Sequence, residues 1–131
     1  MMKMEILSKY VLCTSLVILF FSCTSVQNDI FFDYTKNWRK DALGCMNLRS
    51  KEYSDSINDK FNFINKREKN LIKYLGKSDR IRSNENYRYL IYYFGTNCHN
   101  GAIIDTVDHC YLQYRINLKS NKVLDYQNIC Q

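Results

Sequence analysis

The stretch "YRYLIYYF", Tyr87 to Phe94, sets the architecture. Its period is two. Tyr87, Tyr89, Ile91 and Tyr93 fall on one side of an extended chain, and Arg88, Leu90, Tyr92 and Phe94 on the other. Both sides are largely apolar, so this strand is expected to carry a core on one face. An aromatic row is left on the second face, near the surface unless something covers it. Downstream, a loop "GTNCHNGAIIDTVDH" leads into "CYLQYRINL", which puts Leu112, Tyr114, Ile116 and Leu118 on one side. "KSNK" then reads as a turn, and "VLDYQNICQ" as a returning third strand.

Upstream of Tyr87 the pattern is helical. Ser50 is placed to cap a helix whose stripe is Tyr53, Ile57, Phe61 and Ile64. Asn65 and Glu68 have capping-box spacing for a second helix, with Leu71, Ile72 and Leu75 on its apolar side and Gly76 as its stop. Before these, "NWRKDALGCMNLRS" suggests a short helical turn bearing Trp38, Leu43 and Cys45 and ended by Gly44. The expected fold is therefore α+β in two layers, with two helices packed on a three-stranded antiparallel meander.

The chain opens with "MMKMEILSKY", mildly positive, and continues with the uncharged run Val11 to Phe21. A run of 11 residues is short for a membrane crossing, which takes about 20 residues, and suits the apolar region of a signal peptide. The following "FFSC" resembles the lipobox of bacterial lipoproteins, and the looser form met in lipoproteins of the Bacteroidetes type. That resemblance implies removal of residues 1–22 and acylation of Cys23, with 23–37 as a tether and 38–131 as the domain. Acyl chains, at about 0.8 kcal/mol per buried methylene, would hold such a protein to a membrane. "CTSVQNDI" carries neither an inner-membrane retention aspartate nor an acidic surface-export signal. The periplasmic face of the outer membrane is then the expected address.

Cysteine use fits that address. Setting aside Cys13 and Cys23 leaves Cys45, Cys98, Cys110 and Cys130. An even set in an oxidising compartment reads as two disulfides. Zinc is the rival reading, but the set holds no C-x-x-C pair. The preferred pairing is Cys98 with Cys110 and Cys45 with Cys130; the main competitor joins Cys110 to Cys130. The mature part holds 17 Lys and Arg against 12 Asp and Glu, a net charge of +5. No block of five like charges occurs, which favours a mixed solvated surface. A nucleic-acid partner is not expected outside the cytoplasm.

A second helix ending in "LGKSD", then "YLIYYF" and two further strands, is similar to the SmpA/OmlA (BamE-like) lipoprotein family. In that family a Leu-Gly-x-Pro step joins helix to strand. Leu75, Gly76, Lys77 and Ser78 occupy the step here, with Ser in place of Pro. The likeness covers about residues 50 to 130; the four cysteines and the "DALGC" start depart from it. The resemblance implies a lipid-anchored, non-enzymatic scaffold accessory to outer-membrane assembly. An inhibitor-like domain that binds a soluble protein is the alternative, since inhibitor domains of this layout look similar.

Candidate chemistry is sparse. His99, Asp105 and His109 could be drawn as a metal site, but they read more simply as polar loop residues beside cysteines. No nucleophile–histidine arrangement is suggested, and no cofactor, metal or enzymatic activity is expected. Tyrosine is the informative residue, with 11 in the chain and seven in the strand half. Tyr87, Tyr89, Tyr93 and Tyr111 with Arg115 form the candidate contact surface for an envelope protein, in the style of aromatic–arginine hot spots.

Overall fold

A computed structural model describes residues 30–104 and 108–131. The expected signal peptide, the expected acylation site Cys23 and residues 23–29 of the expected tether lie outside those residues. The chain divides into two units, Met1–Tyr34 and Thr35–Gln131. Of the first, residues 30–34 are described and are helical, with the Phe31 and Tyr34 rings 6.2 Å apart.

The second unit is α+β. It runs α1 (Lys36–Lys40), a 3-10 turn (Ala42–Gly44), α2 (Lys51–Lys60), α3 (Glu68–Leu75), β1 (Arg80–Ser83), β2 (Tyr87–Phe94), β3 (Cys98–His99), β4 (Ala102–Ile103), β5 (Cys110–Asn117) and β6 (Lys122–Cys130). The expected meander is present as β2, β5 and β6, all antiparallel. Two elements enlarge the expected layout. β1 adds a fourth strand at the sheet edge, giving the order β1-β2-β5-β6, and β3 with β4 forms a separate two-stranded hairpin. β1 is "RIRS", exposed throughout. Two arginines on an edge strand keep it from templating another chain, and the same charge hides it from a search for apolar alternation. The hairpin turns on Asn100 and Gly101, both at positive φ (51° and 77°), the backbone that an Asn-Gly turn supplies.

Helix ends follow local chemistry. Ser50 Oγ accepts from Tyr53 N at 3.0 Å and caps α2. The capping box expected at Asn65 does not form. Asn65 sits at φ 65°, Arg67 is the N-cap, and the Glu68 carboxylate is taken by Arg88 at 2.9 Å. α2 also stops at Lys60, so Phe63, 1% exposed, enters the core in place of Ile64, 36% exposed.

One sheet face, carrying Leu90, Tyr92, Leu112, Tyr114, Ile116 and Val123, is buried with Trp38, Ile57, Leu71 and Leu75 of the helical layer. Three of the hydroxyls there are paired. Tyr114 donates to Asn58 Oδ1 at 2.6 Å, Tyr92 to Gly76 O at 2.9 Å, and Ser54 to Asn128 Oδ1 at 2.9 Å. Burial pushes both tyrosine phenols well above their ordinary value, with Arg49 opposing the shift at Tyr92 and the Asn58 bond opposing it at Tyr114.

A buried polar knot fastens the segment before α2 to the end of β2. Arg49 pairs with Asp79 at 2.6 Å, donates to Trp38 O at 2.8 Å, and lies over the Trp38 ring at 5.0 Å. Asp79 also accepts from Leu43 N and Tyr93 N, while Asp41 accepts from Met46, Leu48 and Arg49 N. Both carboxylates are thus satisfied by backbone donors, the condition under which a buried ion pair is tolerated.

Two disulfides are present, and the preferred pairing is corrected: the bonds are Cys45–Cys98 and Cys110–Cys130. Cys110 and Cys130 face each other directly in the β5–β6 register, as the competing pairing required. Cys98 starts the β3–β4 hairpin, outside the β5–β6 ladder that pairs Cys110 with Cys130. Cys45 is brought to Cys98 by the 3-10 turn, where Gly44 lies against the backbone of Tyr93 and Phe94. By loop closure the longer link contributes about 4 kcal/mol and the shorter about 3 kcal/mol, each comparable to one or two buried aliphatic side chains.

Candidate functional site

The second sheet face divides into two halves. At the β2 C-terminal end, Ile91, Tyr93 and Tyr111 form a buried cluster covered by Leu43, Ile103 and Ile129. The 3-10 turn, the β3–β4 hairpin and the end of β6 provide that cover. Tyr93 and Tyr111 are 9% and 4% exposed, so they are core residues of this cluster and not open contact rings. The sequence reading placed them on the aromatic row correctly by period. It had no means of knowing that a long-range disulfide brings the hairpin over them.

At the other end the face stays open. Tyr87, Tyr89 and Arg115 come together there, all half-buried. Register explains it, since Tyr89 lies opposite Arg115, and Arg115 opposite Asp125. The Arg115 guanidinium sits over the Tyr87 ring at 5.2 Å and pairs with Asp125. A register shift follows immediately, between Arg115 and Ile116; bulges of this kind bend a strand and re-aim its side chains. The start of β2 is fixed by Asn84, whose Oδ1 accepts from Asn86 N and Tyr87 N at 3.0 and 2.8 Å.

Tyr89 and Gln113 together separate two open hollows. One, of about 340 Å³, is completed by Arg82, Ser83 and Asn84. The other, of about 290 Å³, is completed by Arg115, Asp125 and Gln127. Gln113, Gln127 and Arg82 were missed by sequence reading. A two-residue step from Arg115 and Asp125 on their strands points to the glutamines, whereas Arg82 needed β1 to be recognised.

No family model, curated protein or solved structure matches this chain. Of the three residues that could be drawn as a metal site, two are described. His99 is exposed, His109 packs edge-on to Tyr93 at 5.4 Å, and Asp105 lies outside the described residues. Among the described residues no group of three metal-ligating side chains gathers, and no helix is long and apolar enough to cross a membrane. What the open half offers is two amphipathic rings, a guanidinium stacked and ion-paired beside them, and amide side chains at the rim. Such a surface binds by ring burial and hydrogen bonding.

Proposed function

We propose that this protein is a non-enzymatic binding module of the cell envelope, lipid-anchored through Cys23, that grips a protein partner with the open half of its sheet. The observation that carries the reading is the division of the aromatic row. Turn, hairpin and strand end seal Tyr93 and Tyr111, yet Tyr87 and Tyr89 are left beside an arginine already stacked and oriented. An arginine held this way loses little side-chain entropy when a partner arrives, which favours affinity. Shallow hollows flanking a tyrosine suit a protein surface better than a small substrate. The resemblance of "LGKSD" and the strand after it to the SmpA/OmlA lipoproteins suggests subunits of outer-membrane assembly as the partner, and a soluble protein held by an inhibitor-like domain is the other form of the same reading.

The test is in-cell crosslinking of the tagged full chain, with mass spectrometry of what it captures, for wild type and for Tyr89→Ala/Arg115→Ala. Capture is expected to fall about tenfold in the variant, consistent with loss of a hot-spot pair, while the thermal midpoint is kept. Assembly subunits in the wild-type capture would support the scaffold role, and a single soluble protein the inhibitor-like one. Equal capture by both chains would move the contact elsewhere.

A further inference from the structure

At the far end of the sheet from the sealed cluster, the fold gathers cations that the sequence keeps apart. A groove of about 570 Å³ is lined by Arg67 and Lys69 at the start of α3, Arg88 of β2, and Lys119 and Lys122 around the β5–β6 turn. Glu68 is the single carboxylate in that lining, so five cations and one anion leave a local net charge of +4. Glu68 is occupied, since both its oxygens accept from Arg88, at 3.1 and 2.9 Å. It orients that guanidinium and neutralises one charge. Among the described residues, none of Arg67, Lys69, Lys119 and Lys122 makes an ion pair.

The gathering is enforced by backbone. Glu68 N donates to Asn121 O, Val123 N to Lys66 O and Asn65 N to Val123 O, each at 2.9 Å. These bonds set Arg67 directly opposite Lys122 in an isolated antiparallel bridge. Like charges facing each other in such a pair are destabilising. The turn itself is prearranged, because Asn117 Oδ1 accepts from Lys119 N and Ser120 N at 2.9 and 3.0 Å. The fold therefore holds an uncompensated cationic concavity with hydrogen-bond donors at its rim.

We infer that this groove binds a phosphate-bearing polyanion, either a lipid headgroup or a soluble phosphate ester. A phosphate group carries about −1.5 to −2 charges and three acceptor oxygens, so it meets four unpaired cations with fewer groups than a carboxylate ligand. A guanidinium fork such as that of Arg67 matches its oxygens two at a time. The groove is separate from the tyrosine face, and the inference does not depend on that reading or on the lipid anchor.

The experiment is amide NMR of the full chain in nonionic detergent micelles, titrated in one arm with tripolyphosphate and in the other with phosphatidylglycerol doped into the micelles. Citrate serves as the carboxylate control. Saturable shifts at 66–69 and 119–122 are expected, weakening as salt is raised. Lys119→Gln/Lys122→Gln is expected to weaken binding about tenfold, two partly exposed contacts' worth. Both side chains belong to exposed residues, Lys119 in the β5–β6 turn and Lys122 at the start of β6, so the variant's spectrum elsewhere should be unchanged. Tighter binding of tripolyphosphate identifies a soluble ligand, and tighter binding of the doped micelle a headgroup. No shift in either arm, shifts that survive in the variant, or citrate binding as tightly as tripolyphosphate would each overturn the assignment.

Discussion

Gly44 is the residue on which the "DALGC" turn depends. Its φ is +69°, and a Cβ there would stand 2.8 Å from Tyr93 O and 2.9 Å from Phe94 Cα, both backbone atoms that cannot swing aside. Gly95 has a similar φ of +59° but open space around it. Left-handed backbone costs an L-residue about 1–2 kcal/mol, and forced overpacking about 1–3 kcal/mol more. Gly44→Ala is therefore expected to lower the unfolding free energy by about 2–5 kcal/mol, and Gly95→Ala by about 1–2 kcal/mol. Urea denaturation of the two variants checks the difference, and equal losses would mean that the contact with β2 is not what restricts Gly44. The glycine was legible in the sequence as the end of a turn. Its role against β2 was not, because that role is a contact across about fifty residues of chain.

Among elements, the β3–β4 hairpin is the one whose position rests on a crosslink. Its attachments are the Cys45–Cys98 bond, the Thr96 hydroxyl donating to Leu43 O at 2.7 Å, and the packing of Ile103 on the Tyr93 cluster. Removing the crosslink with Cys45→Ser/Cys98→Ser should cost about 4 kcal/mol by loop entropy. Hydrogen exchange should then be fastest at 98–103, ahead of β5. A uniform rise across both would show that the hairpin is held by packing alone. What sequence could read among these elements followed from period and caps: the β2–β5–β6 meander, the Ser50 cap and the Gly76 stop. What it missed had other causes. The Asn100–Gly101 turn signal was present, but its strands are two residues each, too short to show alternation. Of the candidate surface, Tyr87, Tyr89 and Arg115 were found by period, whereas the burial of Tyr93 and Tyr111 depends on elements remote in the chain.

For the whole molecule, buried phenols set the response to alkali. Tyr92 and Tyr114 are fully buried, their hydroxyls donate to protein acceptors, and both titrate above the ordinary 10.0. The unfolded chain releases these protons near pH 10 while the folded chain keeps them, so the unfolded state binds fewer protons there. Stability should be flat in this respect below pH 10 and fall as pH rises beyond it. Tyrosinate absorbance followed with circular dichroism should show two late phenols ionising together with loss of fold; ionisation well before unfolding would contradict it. The cation groove belongs to this scale as well. Arg67, Lys69, Arg88, Lys119 and Lys122 come from three stretches, which is why no charge block announced it. The disulfides have a consequence for biogenesis. Counted along the domain, the first cysteine joins the second and the third joins the fourth. If the chain is exported with Cys23 acylated, as proposed above, oxidation as it emerges, N-terminus first, makes these bonds in order of appearance, with no shuffling step and no need of a disulfide isomerase.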